Sequence, residues 1–183
     1  MTKVISFYGG PGTGKSTSAA AVFAALKMAG VNCEYIQEYA KDRAWEFGDK
    51  HTGVPKVFKA QEYLFGKQHF RMRRCAEDVE VIVTDSPLLL GLVYMPDDFP
   101  LPSLRRVIRE AYDMYENLDV FLVREKAYNP NGRFQTEDEA KGLDIDIRNL
   151  LIAQDIDFET VPGGANVVKD VFELIRNRGW YAL

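Results

Sequence analysis

The sequence predicts an α/β fold, a three-layer sandwich in which a five-stranded parallel sheet lies between two helical layers and carries a short lid. Three observations point there. Apolar, β-branched runs alternate along the chain with segments of helical periodicity, the pattern that parallel strands and their crossover helices produce. The first such run, residues 3–8, enters the glycine-rich turn Gly9-Gly10-Pro11-Gly12-Thr13-Gly14-Lys15-Ser16 and then an alanine-rich helix. Finally, 183 residues, 46% hydrophobic and 27% charged, suffice for one domain spanning 1–183 with a full core and leave no room for a second large one.

The first helix is expected over 15–28, ending before Gly30, where glycine supplies the usual C-terminal punctuation. Residues 31–38 read as a second strand ending in a carboxylate, and 39–47 as a short helix. Residues 48–55 form a loop, and 56–77 a long amphipathic helix with Phe58, Phe65 and Met72 on one stripe. Residues 79–85 are the clearest buried strand, stopped at Asp85-Ser86-Pro87 because proline has no N–H for the ladder. After a proline-punctuated loop at 96–102, Ser103 is placed to cap a helix through about Asn117, and 119–124 make the fourth strand. Residues 126–136 are rich in turn formers and fall within a lid at about 126–140. There Thr136 and Glu139 form a capping box that opens a helix through Ala153. Residues 158–162 are the last strand, Gly163-Gly164 a turn, and 166–175 a closing helix facing inward through Val167, Val168, Val171 and Leu174. In such a sheet, ligand belongs above the carboxyl ends of the strands.

The turn after the first strand matches G-x-x-x-x-G-K-[ST], a P-loop, which makes the fold class a P-loop NTPase. Glycines at Gly9, Gly10, Gly12 and Gly14, with Pro11 and Thr13 between them, let backbone N–H groups turn inward around polyphosphate. Lys15 reaches the outer phosphates, the Ser16 hydroxyl is placed on Mg²⁺, and Thr17 continues into a helix whose positive end faces the same anion. ATP and Mg²⁺ are therefore the expected cofactors. The net charge of −4 argues against a broad electrostatic nucleic-acid binder. Cys33 and Cys75 stand alone, without zinc spacing. The longest apolar run, 87–96, is too short to cross a bilayer, and no secretory segment precedes the first strand, so a cytoplasmic protein with no membrane partner is expected.

The third strand ends in Asp85, the carboxylate that assists Mg²⁺, but is followed by Ser86 rather than the water-activating Glu of AAA motor ATPases. Neither an Asn-Lys-x-Asp guanine motif nor an Asp-x-x-Gly switch is present. Phosphoryl transfer to a small acceptor remains, a reaction that needs positioning, metal and positive charge around the γ-phosphoryl group. Arg133, in the lid, is placed to supply that charge, and Arg124 to contact the nucleotide. Glu38 and Asp85, ending neighbouring strands, are the two candidates for acceptor activation. Asp85 is expected to serve metal and proton together while Glu38 orients acceptor or metal. A regulatory nucleotide-binding ATPase without an acceptor is the alternative from another class.

These motifs, together with Glu38-Tyr39-Ala40, Gln68-His69, Asp85-Ser86-Pro87 and Gly132-Arg133-x-Gln135, resemble the small P-loop kinases that include the kinase domain of bacterial ribosylnicotinamide kinases. The resemblance is closer to phage-encoded relatives, the 5-hydroxymethyluracil DNA kinases. It implies ATP and Mg²⁺ at Gly9 to Thr17, the strand-end Asp at Asp85 and the lid Arg at Arg133. It also implies a nucleoside-type acceptor, with 5-hydroxymethyluracil in phage DNA first and a free nucleoside, nucleotide or ribosylnicotinamide second. Location would then be the host cytoplasm.

On the acceptor side, Gln61, Gln68 and Arg71 recur at helical offsets, so one helix face can offer amide and guanidinium donors. His69 is expected as a hydrogen-bonding neighbour, and Tyr63, Phe65 and Phe70 as stacking surfaces. Gly66, costly inside a helix, is expected to mark a close approach. Lys67, Arg71, Arg73, Arg74, Arg105, Arg106 and Arg109 are candidate phosphate contacts, and the loops 48–55 and 96–102 candidate strand contacts.

Overall fold

The computed structural model describes residues 1–47, 59–125, 127–129 and 135–181. Five strands form one parallel sheet: β1 (Lys3–Tyr8), β2 (Cys33–Ile36), β3 (Val81–Thr84), β4 (Glu116–Val123) and β5 (Phe158–Pro162), in the order β2-β3-β1-β4-β5. The helices are α1 (Lys15–Met28), α2 (Tyr39–Phe47), α3 (Gln61–Ala76), α4 (Leu90–Tyr94), α5 (Leu104–Tyr112), α6 (Glu137–Ala153) and α7 (Val167–Asn177).

The period of two along each strand sorts side chains between the layers. Ile5 and Phe7 of β1, Val81 and Val83 of β3, and Leu118, Val120 and Leu122 of β4 pack with Val22 and Leu26 of α1 and Val171 and Ile175 of α7. The intervening residues turn to the other layer. Tyr8 and Phe121 join Leu89, Ile108, Ile147 and Leu151, while Val4 and Ile82 join Met72 and Tyr115. Strands apolar on both faces are what a parallel sheet covered on both sides requires.

Several boundaries differ from the sequence expectation for identifiable reasons. β2 covers only Cys33–Ile36, because Ile36 pairs with Thr84 at the end of the ladder and the N–H of Glu38 is taken by the Asp85 carboxylate. The helix expected to run from Ser103 to Asn117 stops at Tyr112. The Asn117 amide caps the carbonyls of Tyr112 and Tyr115 at 3.0 and 3.1 Å, and the N–H of Glu116 opens the ladder beside β1 through the Thr2 carbonyl. Ser103 does occupy the N-cap position, but its side chain makes no capping bond. The apolar stretch after Pro87, unassigned from sequence, contains α4. The capping box of α6 is formed: Thr136 N–H donates to Glu139 Oε2 at 2.7 Å, and Glu139 N–H to Thr136 Oγ1 at 3.3 Å. Residues 137–140 of the expected lid are thus the first turn of α6. Lys126, 130–134, the loop at 48–55 and Phe58 lie outside the described residues.

Among the described residues no helix is long and apolar enough to cross a membrane.

Candidate active site

The turn between β1 and α1 closes on itself. Gly9 sits at φ +136°, and a Cβ there would stand 2.7 Å from Thr13 Oγ1. The Thr13 hydroxyl is thereby free to donate to the Gly10 carbonyl at 3.0 Å. Gly14, at φ 98°, is the N-cap of α1, whose first turn carries Lys15, Ser16 and Thr17 with their N–H groups at the helix start. Lys15 Nζ folds back over the loop, donating to the carbonyls of Gly9 at 2.7 Å and Gly10 at 3.2 Å.

Opposite this ammonium stand the two expected carboxylates. Because β2 and β3 are neighbours, Glu38 and Asp85 leave the sheet side by side, and the N–H of Glu38 donates to Asp85 Oδ1 at 3.1 Å. Asp85 is buried at 2% exposure, while Glu38 is half-buried. Burial raises the Glu38 pKa and the Asp85 charge adds to that, opposed by Lys15. Burial likewise lowers the Lys15 pKa, with Glu38, Asp85 and Asp144 pulling it back up. Lys15 and Arg124 thus face three carboxylates, Glu38, Asp85 and Asp144. Two tyrosines border it: Tyr35 donates to the Ser16 carbonyl at 3.4 Å and is raised by burial and by Asp85. Tyr94, at the end of α4, is raised to about 12 by burial and by Glu38 and Asp144.

Arg124 lies beside the loop, as expected, but with its guanidinium engaged. It donates to Asp144 Oδ2 through Nε at 3.1 Å and Nη2 at 2.9 Å, and to the Pro11 carbonyl through Nη1 at 2.9 Å. Asp144, from α6, was not legible as a site residue: nothing in its spacing separates it from the other acids of that helix. A second addition is the turn after β5, where the Gly163 backbone presses on the loop; a Cβ there would meet the Thr13 carbonyl oxygen at 2.4 Å.

The acceptor-side residues of α3 divide. Gln68 is buried and accepts the N–H of Tyr39, next to Glu38, at 3.0 Å, so it is tied to the strand end that carries the carboxylate. Gln61 is also buried. His69 stacks on Phe65 with ring centroids 5.5 Å apart, and burial lowers its pKa, favouring a neutral imidazole. Arg71 turns toward α2: it pairs with Asp42 at 2.5 Å and lies over the Tyr39 ring at 4.8 Å. Tyr63 shares a 2.5 Å hydroxyl contact with Tyr39, and Phe70 is 65% exposed. Gly66 marks no close approach among the described residues, since a Cβ there would meet none of their atoms within 4 Å. Arg105, Arg106 and Arg109 pair with Asp97, Glu110 and Asp113, and Arg105 also holds the carbonyls of Met95, at the end of α4, and Pro96, the first residue of the 96–102 loop. Arg133 lies outside the described residues.

A family model described as an AAA domain matches residues 4–167. No curated protein matches the sequence. Among solved structures, a NadR protein in complex with NR superposes over 100% of this chain with a TM-score of 0.73 at 14% identity. A NadR protein in complex with NAD and AMP-PNP does so with a TM-score of 0.70 at 12% identity. This chain spans 53% and 51% of those two chains, about half their length.

Proposed function

The chain belongs to the AAA domain family, and we propose that within it this protein is an ATP-dependent kinase that transfers the γ-phosphate to a hydroxyl of a nucleoside-type acceptor. The observation that carries the proposal is the juxtaposition of Lys15 with two carboxylates at adjacent strand ends, Asp85 buried and Glu38 half-buried with a raised pKa. A hydrolytic motor of the AAA type carries its water-activating Glu directly after the strand-end Asp, where this chain has Ser86, whereas the second carboxylate here, Glu38, comes from the neighbouring strand.

The residues fit ATP and Mg²⁺. The glycine turn presents N–H groups at the start of α1, Lys15 Nζ lies over that turn, and the Ser16 and Asp85 oxygens supply hard ligands suited to Mg²⁺. Bound there, Mg²⁺ neutralises phosphate charge. The loop and Lys15 hold the β- and γ-phosphates, and Arg124 lines the nucleotide side. Asp85 is buried and already accepts the Glu38 N–H, so we assign the metal side to Asp85 and the proton to Glu38, in place of the expectation that Asp85 serves both. The acceptor oxygen forms its bond to the γ-phosphorus as the bond to the β-phosphate bridging oxygen breaks; the hydroxyl proton passes to the Glu38 carboxylate and ADP leaves. Arg133 is assigned from the sequence to the charge developing on the transferred group.

For the acceptor, 5-hydroxymethyluracil in DNA is our first candidate, supported by the motif resemblance. A free nucleoside, nucleotide or ribosylnicotinamide is the second reading. It is favoured by Arg71, the arginine of the acceptor-side helix face, which is held by Asp42 and the Tyr39 ring. The test is a parallel panel with γ-labelled ATP: DNA containing 5-hydroxymethyluracil, the same DNA with thymine, free nucleosides, nucleoside monophosphates and nicotinamide riboside. Label on the modified DNA alone supports the first candidate, and label on a free molecule alone moves the acceptor to the second. Steady ATP hydrolysis with no labelled acceptor rejects the kinase in favour of a regulatory ATPase.

A further inference from the structure

The outer rim of the phosphate loop is held from a helix far along the chain. Asp144 Oδ1 accepts the N–H of Gly10 at 2.5 Å, while Oδ2 accepts both Nε and Nη2 of Arg124. Arg124 in turn donates to the Pro11 carbonyl, one residue on from Gly10, and at 3.4 Å to the carbonyl of Ala140, one turn before Asp144 in α6. The packing at this joint admits no side chain: a Cβ on Gly10 would stand 2.5 Å from the Ala140 carbonyl oxygen and 2.7 Å from Asp144 Oδ1. Asp144 and Arg124 are both mostly buried, with side-chain exposures of 20% and 12%. A pair so enclosed, with each partner making further bonds to the same loop, has its geometry fixed more firmly than an exposed ion pair. The opposite side of the same peptide segment is occupied by Lys15 Nζ, on the carbonyls of Gly9 and Gly10. In the kinase reading Lys15 meets the β- and γ-phosphates, so the Gly9–Gly10 peptide that Asp144 holds from the other side is the one next to those phosphates.

We propose that Asp144 is a positioning residue that ties α6 to the outer rim of the phosphate loop and sets where the Arg124 guanidinium stands, so that the γ-phosphate subsite is built from α6. The proposal rests on the nucleotide-binding part of the kinase reading. Asp144 touches no phosphate in this scheme; it acts through Gly10 and Arg124.

The test compares ATP and ADP, which differ only in the γ-phosphate, by titration calorimetry with Mg²⁺ on the full chain, alongside thermal melting. Asp144→Asn retains an oxygen for the Gly10 N–H and loses the charge that holds Arg124. It is expected to weaken ATP binding by about tenfold with less than about a threefold change for ADP, a differential of roughly 1 kcal/mol. Asp144→Glu keeps the charge and lengthens the arm, and is expected to fall between wild type and Asp144→Asn in the ATP-to-ADP ratio. An equal loss for both nucleotides in either folded variant reduces Asp144 to a structural contact and overturns the proposal, as does an unchanged ATP affinity. Wild-type protein that binds both nucleotides yet labels no acceptor sinks the kinase reading alone, and the ATP-to-ADP ratio still decides the role of Asp144.

Discussion

The backbone N–H of Glu38 donates to the carboxylate of Asp85 at 3.1 Å, joining the ends of two adjacent parallel strands and fixing two acids in one cleft with unequal exposure. That inequality divides the labour. Glu38→Gln is expected to lower the single-turnover transfer rate by about 10²-fold or more while ATP affinity changes little, because it removes a proton acceptor. Asp85→Asn should also lower transfer, and should raise the Mg²⁺ concentration needed for half-maximal rate. The acid limb of the wild-type rate profile should lie above the ordinary glutamate range, since burial raises the Glu38 pKa and only its ionised form accepts a proton. Near-normal transfer by Glu38→Gln would return the base to Asp85.

Lys15→Ala tests the nucleotide site itself. The ammonium rests on the carbonyls of Gly9 and Gly10, so the fold loses two hydrogen bonds at the surface of the loop, and the melting temperature should change little. Turnover should fall by about 10²-fold or more, the usual scale for removing a preorganised donor at developing charge. Unchanged turnover and ATP affinity in a folded variant would remove the loop from the site.

Two glycines separate close approach from open space. Gly163→Ala brings a Cβ to 2.4 Å from the Thr13 carbonyl oxygen and 3.1 Å from that of Val123, both backbone atoms. We expect about 1–3 kcal/mol of destabilisation, with weakened nucleotide binding as the loop shifts. Gly66→Ala meets nothing among the described residues, and removes the entropic cost of glycine within α3, so it should stabilise by about 0.5–1 kcal/mol. Chemical denaturation of both variants checks the contrast.

The sequence carried the parallel order of elements and the loop because both depend on local pattern: a two-residue period in strands such as β1, a glycine-lysine spacing, and the Thr136–Glu139 capping box. Glu38 and Asp85 were legible as a pair because each ends an apolar strand. Asp144 was not, since its role arises only when α6 packs across the first loop, 134 residues away in the chain. The partners of Arg71 were not legible for the same reason: a helix face shows which residues share a side, but not that Asp42 and the Tyr39 ring lie against it.

Asp119 supplies a pH test of the fold that is independent of catalysis. It lies on β4 at 1% exposure and accepts the Tyr112 hydroxyl at 2.6 Å, while its Oδ1 and the nearby Tyr8 hydroxyl are buried without a hydrogen-bond partner among the described residues. Burial raises its pKa from an ordinary value of 3.8 to about 6, against the lowering effects of its tyrosine neighbours and Arg178. The folded state therefore holds the proton more tightly than the unfolded state. Its stabilising contribution is fully present below about pH 4 and is lost as pH rises through about 6, a change of at most about 3 kcal/mol. Asp119→Asn keeps an acceptor for Tyr112 and removes the buried charge. Its stability relative to wild type should therefore grow between pH 4 and pH 7, giving a higher melting temperature at pH 7.5 and a smaller difference at pH 4. Denaturant unfolding across that range reads the slope directly, and parallel curves for the two proteins would show that Asp119 does not titrate in the fold.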